Sequence, residues 1–241
     1  MKPFALTLVV AAALISGCRE QPGYRGYWSD RTLDIDDYEA AEEDFTDFVE
    51  YAVTIPEAQA SADIDQLLEK ASQDEITYLF YADWILKGFG SIASPCRSCP
   101  LLVHAADWVL AHDLPSWEMK ARYEVQRNFC LHNRPGDVAE LPDLEEDALA
   151  PFRQRTLILV VDQGCSTCRE SMARFETPEW DGTDRVALCY GRGPLPENPA
   201  WQCYRMSPDQ TLLDTRQAPF YYVVSTEGTV EQSYSPVHRY E

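Results

Sequence analysis

The stretch Thr156, Leu157, Ile158, Leu159, Val160, Val161 constrains this chain most. Such a continuous, partly β-branched apolar run is the signature of a strand buried on both faces. Four residues after it comes Cys165, Ser166, Thr167, Cys168, with helical residues from about Ser166 to Phe175. A second strand is expected over Val186 to Tyr190. A third, Phe220 to Val224, turns through Thr226, Glu227 and Gly228 into a fourth, Thr229 to Tyr234. Strand, helix, strand and hairpin describe an α/β layer with mixed strand directions.

The placement of the cysteines has a chemical logic. Unpaired backbone N–H groups and the helix macrodipole favour an anion at a helix N-terminus, and there a thiol pKa can fall from about 8.5 toward 3.5 to 7.5. Cys165 is the expected nucleophile. Cys168, one turn later on the same side, is placed to attack a mixed disulfide formed at Cys165. The rival readings are an inert local disulfide and, with Cys96 and Cys99 as a second Cys-x-x-Cys, a zinc site. The long separation of the two pairs, in different expected domains, argues against zinc.

From about Pro151 to Tyr234 the chain resembles the thioredoxin superfamily, on the order of strand, Cys-x-x-Cys and helix together with Ala218 and Pro219 before the hairpin strand. The resemblance implies that Pro219 is a cis-proline packed against the thiol pair and that Ala218 and Pro219 present backbone to a bound peptide. Ser-Thr is not the common dipeptide between the cysteines, which leaves the redox potential open. No final helix is evident before Glu241, so the fold is expected to lack its last helix. More widely, Ser94 and Pro95, Asn133 to Gly136, and Val161 to Cys165 resemble the spacing of an uncharacterised family of Bacteroidetes lipoproteins that join a helical N-terminal domain to a thioredoxin-like one.

The N-terminus points to export. Lys2, the apolar run Phe4 to Ile15 and the string Leu14, Ile15, Ser16, Gly17, Cys18 form a signal peptide, too short for a span of about 20 residues. Its ending resembles a lipobox, which implies cleavage after residue 17, acylation of Cys18 and a lipid anchor in the membrane; Arg19 resembles an outer-membrane sorting signal. The expected location is the outer membrane, facing the periplasm. Residues 18–32, with Pro22, Gly23 and Gly26, read as a tether.

Residues 33–140 are expected to form a helical domain. Ten acids and one base fall between Asp30 and Glu50, yet Phe45, Phe48, Val49 and Ala52 recur at helical spacing, an amphipathic helix with a solvated acidic face. Ile64, Leu67, Leu68 and Ala71 mark the next helix, and Ile76, Leu79, Phe80 and Trp84 the face of the one after. Further helices are expected over Leu101 to His112 and Ser116 to Leu131, the latter capped by Ser116. A linker over 141–150 leads to the second domain, 151–241, so the class is α+β with two domains.

Twenty Lys and Arg against forty Asp and Glu give a net charge of −20, which repels phosphate backbones; nucleic acid is excluded as a partner. Export favours disulfides. Eight cysteines less Cys18 leave seven, an odd number, so at least one is not paired within the chain. Cys96 and Cys99 read as a disulfide tightening a loop, or as a relay to Cys165. Cys189 and Cys203, the latter in a loop, are a candidate bridge, and Cys130 a small core residue. The four histidines lack the two-His, one-Glu helix spacing of a zinc protease and read as surface or capping groups. Trp180, Trp201, Tyr190, Tyr204, Tyr221 and Tyr222 are either groove or core. The expected function is disulfide exchange with the thiols or disulfides of exported proteins, fed by an unidentified electron donor, with no cofactor beyond the redox-active disulfide and no metal. The alternative is a non-catalytic binding or scaffold lipoprotein.

Overall fold

The computed structural model describes residues 25–114, 116–144, 152–207, 210 and 212–237. The signal peptide, Cys18, most of the linker and His238 lie outside the described residues. Within them the order is α1 (Tyr38–Ala52), α2 (Glu57–Ala71), α3 (Glu75–Ile85), α4 (Cys99–Ala111), α5 (Trp117–Leu131), β1 (Thr156–Asp162), α6 (Ser166–Arg174), β2 (Asp184–Tyr190), β3 (Gln202–Arg205), β4 (Phe220–Val224) and β5 (Val230–Pro236).

Short polar side chains start three of the helices. Asp37 accepts from the Ala40 N–H at 3.2 Å, Asp74 from Thr77 at 2.8 Å and Ser116 from Met119 at 3.3 Å, each cap contributing about 1 kcal/mol. The apolar faces of α1 and α2 are buried as their spacing predicts. Helix α3 meets its expected face only in part: Trp84 is buried and Leu79 and Phe80 pack against the core, but Ile76 is 69% exposed, while Tyr78, Tyr81, Ala82 and Ile85 are buried. That set also has helical spacing once tyrosine rings count as apolar bodies. A π-helical turn, Leu86–Gly90, follows, and Gly88 lets α1 come close, since a Cβ there would stand 2.9 Å from a Val49 methyl.

The expected tether is shorter than its composition suggests. Trp28 is fully buried, 5.1 Å from the Phe48 ring. Lys70 donates to the carbonyls of Trp28, Ser29 (3.2 Å) and Arg31 (3.0 Å), and the Tyr27 N–H donates to Asp63 at 2.8 Å. Residues 27–31 are thus held against the helical core through Trp28, because one large aromatic outweighs several turn-forming residues.

The five described strands form one mixed sheet in the order β3-β2-β1-β4-β5. Strands β1, β2 and β3 run parallel, β4 antiparallel to β1, and β5 antiparallel to β4. Central β1 is covered on both sides: Leu157, Leu159 and Val161 meet Met172 of α6 and Phe175 just beyond it, while Ile158 and Val160 face a separate cluster.

That second cluster explains how the sheet manages with no helix after β5 among the described residues. It contains Ile92 and Phe129 from the helical region. The Phe129 ring stacks on Tyr234 at 4.0 Å and meets Phe220 edge-on at 5.3 Å. Polar contacts surround it: Ile92 N–H donates to Gln217 at 2.7 Å, Gln217 donates to Gln126 at 3.1 Å, and Gln126 donates to Asp214. Asn133, buried at a left-handed φ of 53°, donates to the Tyr234 hydroxyl at 2.8 Å. Leu141 and Leu144, read as linker, pack on the same cluster. The helical region therefore supplies a layer of the sheet domain.

Candidate active site

Strand β1 delivers the chain to the site. Beyond Asp162 the backbone turns over Gln163 and Gly164: the Asp162 carboxylate accepts from the Gly164 N–H at 2.7 Å, and the Cys165 N–H donates to the Asp162 carbonyl at 3.2 Å. Cys165 is the N-cap residue of α6 and is half-buried. Cys168, in the first turn, is buried at 2% exposure. Neither is in a disulfide in this structure.

The electrostatics distinguish the two sulfurs. The Cys168 thiol is pushed up to about 12, first by burial and also by the hydrogen bond and negative charge at Cys165, while the Asp162 N–H, 3.4 Å from Sγ, pulls the other way. Cys168 is therefore a neutral thiol at ordinary pH. Removing the charge at Cys165, as a mixed disulfide there would, removes part of what holds that proton on. Tyr190, beside Asp162 in the strand register, is also raised, first by burial and then by the charge of Asp162.

A cavity of about 390 Å³ opens next to Cys168. Val161, Met172 and Leu195 give it an apolar floor and wall; Asp162, Gln163, Glu197 and Asn198 supply polar groups. Its outer wall belongs to the chain after β2, which Arg205 holds in place. That guanidinium donates to the carbonyls of Gly191 (2.8 Å) and Gly193 (2.9 Å) and to the Gln163 side chain (2.7 Å). Gly191 has a φ of 95°, a backbone few other residues adopt. Nothing local in the sequence marks Arg205; Gln163 lies in the stretch Val161 to Cys165 singled out above, and the segment 191–196 is Gly- and Pro-rich.

The peptide bond between Ala218 and Pro219 is cis. Phe220 pairs with Val160, so Pro219 lies at the end of the sheet where β1 runs out toward Cys165. The register thus brings Cys165, Cys168, Ala218 and Pro219 to one end of the sheet.

Other cysteines fall differently from expectation. Cys99 is bonded to Cys130, Cα to Cα 5.1 Å, and not to Cys96, which is a buried thiol. Helices α4 and α5 pack against each other in opposite directions, so the first residue of one meets the last turn of the other. Cys130 is thus a buried core residue, as expected, and a cross-link as well. Cys189 and Cys203 are thiols, not a bridge, and Cys203 sits on edge strand β3 rather than in a loop. Trp180, Trp201, Tyr221 and Tyr222 are core residues. His104 contacts Asp65 at 2.7 Å, His132 contacts Glu140 at 3.0 Å, and His112 stacks on Trp108 at 3.7 Å. Among the described residues no group of three or more His, Cys, Asp or Glu is placed to hold a metal ion, and no helix is long and apolar enough to cross a membrane.

No family model and no curated protein matches the chain. Among solved structures it is similar to a thioredoxin-like protein from Bacteroides caccae, at a TM-score of 0.64 and 16% identity, over 88% of this chain and 87% of that one. The likeness extends through both the helical region and the sheet, and the fold is thioredoxin-like with an α+β architecture.

Proposed function

We propose that this chain is a thiol-disulfide oxidoreductase, a reductase or isomerase of exported proteins, held at a membrane by acyl chains on Cys18. The observation that carries the reading is the asymmetry of the pair: Cys165 caps a helix and is half-buried, whereas Cys168 is buried one turn away with its proton held on. In the reducing direction the Cys165 thiolate attacks a substrate disulfide, forming a mixed disulfide and releasing one substrate thiolate, which takes up a proton. Cys168 then loses its proton and attacks Cys165, expelling the second substrate thiolate and leaving a Cys165–Cys168 disulfide. Two electrons pass to the substrate, and an external dithiol donor restores the pair. Ala218 and Pro219 are positioned to offer backbone to the substrate peptide.

Cys168→Ser protein tests this directly. Mixed with an oxidised protein substrate it should accumulate adducts at Cys165, and the wild type should reduce insulin in a thiol-dependent way. Absence of both overturns the proposal.

A second reading, a non-catalytic binding or scaffold lipoprotein, draws on the cavity, which is bordered by the buried Cys168 rather than by Cys165. It requires the pair, once oxidised, to stay oxidised.

A further inference from the structure

Outside the helix-capping pair, the described residues hold a second pair of neighbouring thiols. Strand β3 lies parallel to β2 with Cys203 opposite Ala187 and Arg205 opposite Cys189. Cys189 and Cys203 are therefore diagonal neighbours, and both pack in the core cluster on the α6 side of the sheet. Cys189 is fully buried, its thiol donating to the Ala187 carbonyl at 3.8 Å, and Cys203 is half-buried.

From this geometry we propose that Cys189 and Cys203 are a second redox site, which closes into a disulfide between β2 and β3 on exposure to a small-molecule or protein disulfide. The Cys203 thiolate attacks the incoming R–S–S–R and expels one R–S⁻. Cys189 then gives its proton to solvent and attacks the Cys203–S–S–R bond, expelling the second R–S⁻. Two thiols are oxidised to one disulfide, and one disulfide is reduced to two R–SH. The order of attack follows from access and from the coupling of the two thiols: neighbouring Cys189 lowers the Cys203 thiol below its ordinary value, while neighbouring Cys203 and burial both raise Cys189.

Parallel strands lie about 4.8 Å apart and rise about 3.3 Å per residue, so such diagonal neighbours stand about 8 Å apart at Cα; a disulfide wants about 4.4 to 6.8 Å, and one strand must move by an ångström or more. Strand β3 can. It has four residues and lies at the sheet edge, pairing with β2 and with no other described strand. The bridge would also fix the cavity wall, because Arg205, two residues beyond Cys203, holds Gly191, Gly193 and Gln163.

The experiment uses protein carrying Cys165→Ser and Cys168→Ser, so that its outcome does not depend on the proposed exchange activity. The protein is reduced, equilibrated with oxidised and reduced glutathione across a range of ratios, quenched in acid, alkylated after unfolding and mapped by mass spectrometry. The expected product is a Cys189–Cys203 cross-linked peptide pair, lighter by the two thiol hydrogens. Adding Cys189→Ser should leave glutathione trapped on Cys203, and adding Cys203→Ser should leave Cys189 unmodified. If both cysteines remain alkylatable when oxidised glutathione predominates, or if glutathione stays on Cys203 with Cys189 present, the proposal fails. A failure here leaves the Cys165–Cys168 reading untouched, and the Cys168→Ser trap judges that separately.

Discussion

The Cys99–Cys130 bond offers a worked estimate of what a cross-link contributes to this fold. It joins positions separated by 31 residues, across the hairpin of α4 and α5. A loop of that length loses about 12 cal/mol/K of denatured-state entropy on cross-linking, which is about 3.7 kcal/mol at 25 °C. The pairing expected from sequence, Cys96 with Cys99, would close a loop of three residues and contribute under about 2 kcal/mol in the same treatment. Replacing both Cys99 and Cys130 by Ala removes the bond without leaving a lone thiol. Urea unfolding in non-reducing buffer should show a loss of about 3 to 4 kcal/mol, with a fall in Tm of about 7 to 15 °C for a chain this long. Cys96→Ala, by contrast, removes one small buried sulfur and should cost about 1 kcal/mol. The reasoning is refuted if the double substitution costs no more than Cys96→Ala, or if peptide mapping of the native protein finds Cys96 joined to Cys99.

Other expectations follow from the sheet's second layer and from the thiol asymmetry. Phe129→Ala leaves a void against Phe220 and Tyr234 and should cost about 3 to 5 kcal/mol; since Phe129 joins the helical region to the sheet, calorimetry should resolve the single transition into two. Thiolate is the form that alkylates, so with Cys168 raised to about 12 only roughly one part in 10,000 is reactive at pH 8. Iodoacetamide at that pH should modify Cys165 and spare Cys168, with the Cys168 rate climbing about tenfold per pH unit. Because Cys165 raises Cys168 through a hydrogen bond and its charge, Cys165→Ala should shift the Cys168 alkylation profile to lower pH; an unmoved profile would mean the sulfurs do not interact.

What could be read from the sequence was local or strongly periodic. Strand β1 announces itself by an apolar run, Cys165 by its place between strand and helix, and the β4–β5 hairpin by Gly228, which takes a φ of 79°. What escaped depends on partners distant in the chain. The face of α3 is chosen by neighbours that accept tyrosine rings. Trp28 is drawn into the core by Phe48 and Tyr81. Cys99 finds Cys130 only because two helices fold back on each other. Strand β3 has four residues, none of them fully buried, so its pattern is too short to stand out, and it exists because β2 offers an edge. Arg205 is one arginine among many until β3 places it over Gly191 and Gly193.

The midpoint potential of the Cys165–Cys168 pair bears most directly on the whole account, measured by equilibrating the protein with thiol-disulfide buffers and following the alkylated fraction of the two cysteines. A pair that exchanges with substrates should titrate at a potential less negative than about −300 mV. A value more negative than that would mark a permanent bridge and contradict the oxidoreductase reading.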